Sequence, residues 1–142
     1  MGQERVDKMV EGLRKWQGIE RKAMEQTAAI IEKTTNPFVR TVMEVIRHDS
    51  LMHHRVQQTI VDSRTRESMA LSPDDLLSVW NLIEEHDETE KEVIAIATEL
   101  RDMAWSPLHK HLLTYLLHDE EKHDRLLEEM DELKKDATRS TQ

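Results

Sequence analysis

The chain has 142 residues, a formal net charge of -9 at pH 7, 35% charged residues, three glycines, three prolines and no cysteine. The missing thiols exclude disulfides, thiolate catalysis, zinc–thiolate sites and iron–sulfur clusters, and the negative charge argues against a nucleic-acid partner. So little Gly and Pro in so charged a chain points to an all-α protein, expected as one domain over residues 1–142.

No run approaches ~18 apolar residues, so no membrane span is expected. The polar start MGQERVDK is not expected to act as a secretion signal, and Val6 stands where a myristoylation site has Ser or Thr. A cytoplasmic protein fits these features.

The first predicted helix covers 4–34 and stops before Asn36-Pro37. Its stripe at alternating steps of three and four reads Met9, Leu13, Trp16, Glu20, Ala23, Thr27, Ile30. The second covers 37–65, with the stripe Val42, Ile46, Asp49, His53, Val56, Ile60. Polar SRTRES then leads to Ser72-Pro73-Asp74-Asp75, a helix start with Ser72 as cap, Pro73 at the first position and acids in the first turn. The third helix is predicted over 73–104, with Val79, Ile83, His86, Glu90, Val93, Ala97, Leu100. Ser106-Pro107 opens the fourth, over 107–136, with Leu112, Leu116, Asp119, His123, Leu126, Met130.

The second and fourth helices share a motif. HDSLMHHR begins at His48 and HDEEKHDR at His118, 70 residues later. Sliding 16–55 over 86–125 gives six identities: Glu20/Glu90, Pro37/Pro107, His48/His118, Asp49/Asp119, His53/His123 and Arg55/Arg125. One is a helix breaker and five are ionisable. We read two helical hairpins, about 4–65 and 73–136, related by a pseudo-twofold.

Each stripe is apolar at both ends and ionisable in the middle. The matched members Glu20, Asp49, His53, Glu90, Asp119 and His123 lie near mid-height of their helices, so a bundle would bring them to one level. Four buried carboxylates cost several kcal/mol each if unpaired, and no Lys or Arg on the stripes neutralises them. Two divalent cations would cancel four charges, with two imidazoles completing the ligand set. The bland alternative is a protonated, hydrogen-bonded polar network.

At these residues the chain resembles the ferritin-like superfamily of four-helix di-metal carboxylate proteins, and YLLHDEEKHDRLLEEM is similar to a rubrerythrin-type final helix. The family pattern has one Glu from each of two helices and Glu-x-x-His from each of the others. Glu20 and Glu90 match the single glutamates, and Glu120-Glu121-Lys122-His123 matches Glu-x-x-His. The second helix departs, because Ser50 stands three before His53 and Asp49 four before. In the fourth helix the internal repeat favours Asp119 as ligand and the family motif favours Glu120.

The resemblance implies a ferritin-like four-helix bundle with two metal ions. Iron is expected first, with manganese or zinc suited to the same donors. It also implies chemistry with dioxygen or peroxide, of ferroxidase or peroxidase type. Without cysteine there is no rubredoxin-type centre, and without a helix after about 136 a storage cage is not expected. Ferritin-like connectivity would need residues 62–73 extended over about 40 Å, which a homodimer exchanging or pairing hairpins would avoid.

Near the site, His86 is read as an extra ligand, a carboxylate partner or a core histidine. Tyr115 is read as packing or a redox neighbour, and Trp16 as packing. Gly18 is read as allowing close helix approach, a local bulge or neither. Two rival functions stay open: a hemerythrin-like dioxygen binder, suggested by the His-x-x-x-Glu of His86 and Glu90, and a metal-free helical interaction protein.

Overall fold

The computed structural model describes residues 2–66 and 69–140, with side chains placed up to residue 136. Among these residues there are five helices and no strand: α1 Gly2–Lys33, α2 Pro37–Thr65, α3 Pro73–Leu77, α4 Trp80–Met103 and α5 Pro107–Ser140. The chain forms two compact units, residues 1–69 and 70–142. In the first, α1 packs on α2; in the second, α4 packs on α5.

The two matched prolines do the same work. Between α1 and α2, Asn36 is extended (φ -78°, ψ 121°) and its Oδ1 accepts from the Val39 N–H at 3.0 Å. Pro37 then occupies the first helical position, where no N–H is needed. Pro107 opens α5 in the same way, with the Lys110 N–H bonded to Ser106 O at 2.9 Å. Residues 34–36 and 104–106 are the only chain between the paired helices, so each pair must run antiparallel.

The helix expected over 73–104 is instead two, α3 and α4. Ser78 keeps a helical conformation, but Val79 sits at φ -117°, ψ 2° and its N–H turns tightly onto Leu76 O at 3.1 Å. No Gly or Pro marks the break. Packing accounts for it: α3 lies against α5, Leu76 is buried, and the Trp80 ring just after the turn lies under Lys134 Nζ at 3.8 Å from its centroid.

On one helix of each pair the seam differs from the expected stripe. In the first hairpin the buried residues are Gln17, Glu20 and Thr27 on α1 and Ser50, Gln57 and Val61 on α2. In the second they include Glu90 and Ala97 on α4 and Leu117 on α5. On α2 the seam therefore runs through 50, 57 and 61, one residue beyond the expected 49, 53, 56 and 60. On α5 it includes Leu117, one beyond Leu116. One residue is about 100° of helix, which leaves the expected stripes of α2 and α5 on the flank, while those of α1 and α4 reach the seam at Glu20, Thr27, Glu90 and Ala97. Trp16, Ile46 and Val56 are accordingly exposed in the first hairpin, and Val93, Leu116 and Leu126 in the second.

Candidate metal centre

In the second hairpin, α4 supplies Glu90 and α5 supplies Glu120 and His123. Each offers one ligand atom, and the three atoms lie within 4.8 Å of one another. His123 Nδ1 is 3.7 Å from Glu90 Oε1 and 3.5 Å from Glu120 Oε2. Two donors held on a tetrahedral ion by bonds of about 2.1 Å are about 3.4 Å apart, close to these separations.

Glu90 is the most deeply placed donor, 6% exposed, and its Oε2 is buried with no hydrogen-bond partner. Its Oε1 meets His86 Nε2 at 2.8 Å. The Glu120 carboxyl is pushed above its ordinary range, first by a hydrogen bond with Glu90, then by burial and by the Glu90 charge. Such a bond needs a proton on one of the two carboxyls. With both ionised that bond is lost, and a cation could take the proton's place.

Of the two α5 carboxylates left open by the sequence, Glu120 stands in the donor group. Asp119 lies at the opposite edge of the imidazole, with Oδ2 3.5 Å from His123 Nε2, and its Oδ1 pairs with Lys122 Nζ at 2.8 Å.

The first hairpin assembles less. Glu20 is buried, and its Oε1 accepts from the Trp16 indole N–H at 3.1 Å and lies 3.6 Å from His53 Nδ1. Ser50, buried in the seam, occupies the place that Glu120 fills 70 residues later. Asp49 is half-buried and joins no group of three donors among the described residues. Trp16 and His86, equivalent in the repeat, both hold the buried glutamate one turn further on. That role for Trp16 is one the sequence reading missed.

The sequence reading also missed a second carboxyl pair in the second hairpin. Asp87 and Asp124 share a hydrogen bond, which lowers Asp87 and raises Asp124 from their ordinary values. Lys91 Nζ, 3.2 Å from Asp87 Oδ2, helps keep Asp87 ionised. The matching positions of the repeat, Gln17 and His54, also meet, with Gln17 Nε2 donating to His54 O at 3.3 Å. Asp87 also lines a cleft of about 200 Å³ with Trp80, Ile83, Glu84 and Glu128.

The chain matches no protein-family model, no curated protein and no solved structure.

Proposed function

We propose that this chain is a metal-binding protein of the ferritin-like kind, in which carboxylates and imidazoles from both hairpins hold two divalent cations inside a four-helix bundle. The observation that carries the reading is that Glu90, Glu120 and His123 bring ligand atoms within 4.8 Å of one another, while the Oε2 of Glu90 is buried with no hydrogen-bond partner. A buried carboxylate oxygen left without a hydrogen bond costs about 1–3 kcal/mol, and a dication beside it removes that cost. Glu20, Asp49 and His53 would supply the other half, with Asp119 supporting His123 from behind.

The mixed oxygen and imidazole donors suit iron, manganese or zinc. Iron, with ferrous oxidation or reduction of dioxygen or peroxide, is the proposed chemistry, in a cytoplasmic homodimer. The open apolar flanks, with Trp16, Ile46, Leu116 and Leu126 exposed, support closure of a larger bundle.

The test is metal stoichiometry and melting temperature after loading with ferrous iron without oxygen. Wild type should hold about two irons per chain, as a two-metal site requires. A His53→Ala/His123→Ala variant should lose them together with the thermal shift. Admitting oxygen then separates turnover from reversible binding. Wild-type chain that retains no iron, manganese or zinc would leave a helical interaction protein as the reading.

A further inference from the structure

We infer that the two hairpins are unequal toward a divalent cation. The second hairpin takes the first ion by itself, on Glu90, Glu120 and His123, and the first hairpin binds only as the weaker, second site. The inference rests on the metal-binding reading above and deepens it.

Three independent observations carry it. The first is the donor count. The second hairpin brings three ligand atoms within 4.8 Å of one another, two of them from carboxylates. The first hairpin brings together no group of three donors among the described residues, and its Glu20 and His53 lie 3.6 Å apart. Ser50 offers a neutral hydroxyl where Glu120 offers a charge, and Asp49 stands a residue off the seam.

The second is the state of the buried glutamate. Glu90 Oε2 is buried without a partner, whereas Glu20, whose Oε1 receives the Trp16 N–H at 3.1 Å, has no such orphaned oxygen among the described residues. An indole N–H is a donor only and cannot ligate a cation. In the repeat, the residue that holds Glu90 is His86, at 2.8 Å. We assign His86 as a positioning residue that fixes one Glu90 oxygen.

The third is charge. Residues 1–69 contain twelve Lys and Arg against ten Asp and Glu, a net +2. Residues 70–142 contain eight against nineteen, a net -11, and the two halves together give the chain's -9. The field of the acidic half concentrates cations near the site that also has more donors.

Anaerobic titration of the full chain with Co2+ tests this, read by calorimetry and by the visible absorption of the bound ion. The expected isotherm has two steps, the first tighter by at least about tenfold, since affinity follows ligand charge and number. Glu120→Gln should abolish the first step. His53→Ala, at a site whose side chain is 60% exposed, should leave the first step in place and weaken the second. Far-UV circular dichroism matching wild type guards against misfolding, and Glu120→Gln is nearly isosteric.

One cooperative two-ion step, lost equally in both variants, would overturn the inequality and leave the two-metal reading standing. A first step lost in His53→Ala but kept in Glu120→Gln would also overturn it. A single ion that survives His53→Ala and is lost in Glu120→Gln would support the inequality and sink the two-metal reading. No binding by wild type would sink both.

Discussion

Asp119 Oδ2 lies 3.5 Å from Nε2 of His123, while the other ring nitrogen of that histidine faces Glu90 and Glu120. A carboxylate at the far edge of an imidazole fixes the ring's tautomer and raises its basicity toward a cation. Asp119→Asn is therefore expected to weaken metal binding by about 10–100-fold without abolishing it, whereas Glu120→Gln should abolish tight binding. Competition against a chelator of known affinity measures both. Equal losses in the two variants would show that Asp119 is itself a donor.

Glu90 separates stability from binding. In the metal-free chain its Oε2 is buried with no partner, and Gln at this position would place an amide N–H₂ beside Glu120. Glu90→Gln should raise metal-free stability by about 1–3 kcal/mol and eliminate the thermal shift on adding metal. Urea unfolding with and without Co2+ reads both effects. A less stable metal-free variant would mean that Glu90 is already satisfied.

Gly18 lies inside α1 on an exposed face, and a Cβ built there meets nothing within 4 Å. It therefore serves no close helix approach, and only its conformational freedom remains. Gly18→Ala should stabilise the chain by about 0.5–1 kcal/mol, seen as a raised melting temperature with unchanged metal binding. Destabilisation would point to a contact made in an assembly.

The start of α3 gives a pH signature. Asp75 accepts from the Ser72 N–H at 2.8 Å, and this bond, with help from the Ser72 hydroxyl, holds the carboxyl below its ordinary value of 3.8. In the window below that value the unfolded chain binds the proton more readily. The stabilisation is thus present above pH 3.8 and lost as pH falls through the depressed folded value. Asp75→Asn should flatten the acid limb of the stability profile while leaving its slope near neutrality unchanged. An unaltered acid limb would show that the bond contributes nothing to folding.

Much of the fold was legible because it depends on local chemistry. Asn36-Pro37 and Ser106-Pro107 act through cap geometry and missing N–H groups, which a single sequence displays. The break at Val79 was not legible, because no local residue demands it and it follows from where Leu76 and Trp80 pack. The helix faces were legible only to within one residue. Periodicity finds a polar interruption in an apolar stripe, but an antiparallel pair has a seam and a flank about 100° apart, and both were merged into one stripe.

The same ambiguity decided the site. Glu90 and His123 were found by either reading. Choosing Glu120 over Asp119 as the donor required the seam, which carries Ser50 at the matching place in α2. The Asp87–Asp124 pair could not be read from periodicity, since both residues look like ordinary helix-surface acids until α4 and α5 are laid together.

The prolines at 37 and 107 have a consequence for the order of events during synthesis. Each opens a helix that folds back on the one just before it, so α1 and α2 can pack on each other once residue 66 has been made. Contacts so close along the chain form quickly, and the first hairpin can be complete while the second is still untranslated. During that interval Trp16, Ile46 and Val56 lie exposed on a half-chain of nearly balanced charge, which has little electrostatic protection against sticking to its neighbours. The nascent chain is thus most prone to aggregate between the completion of α2 and the arrival of the strongly acidic second half.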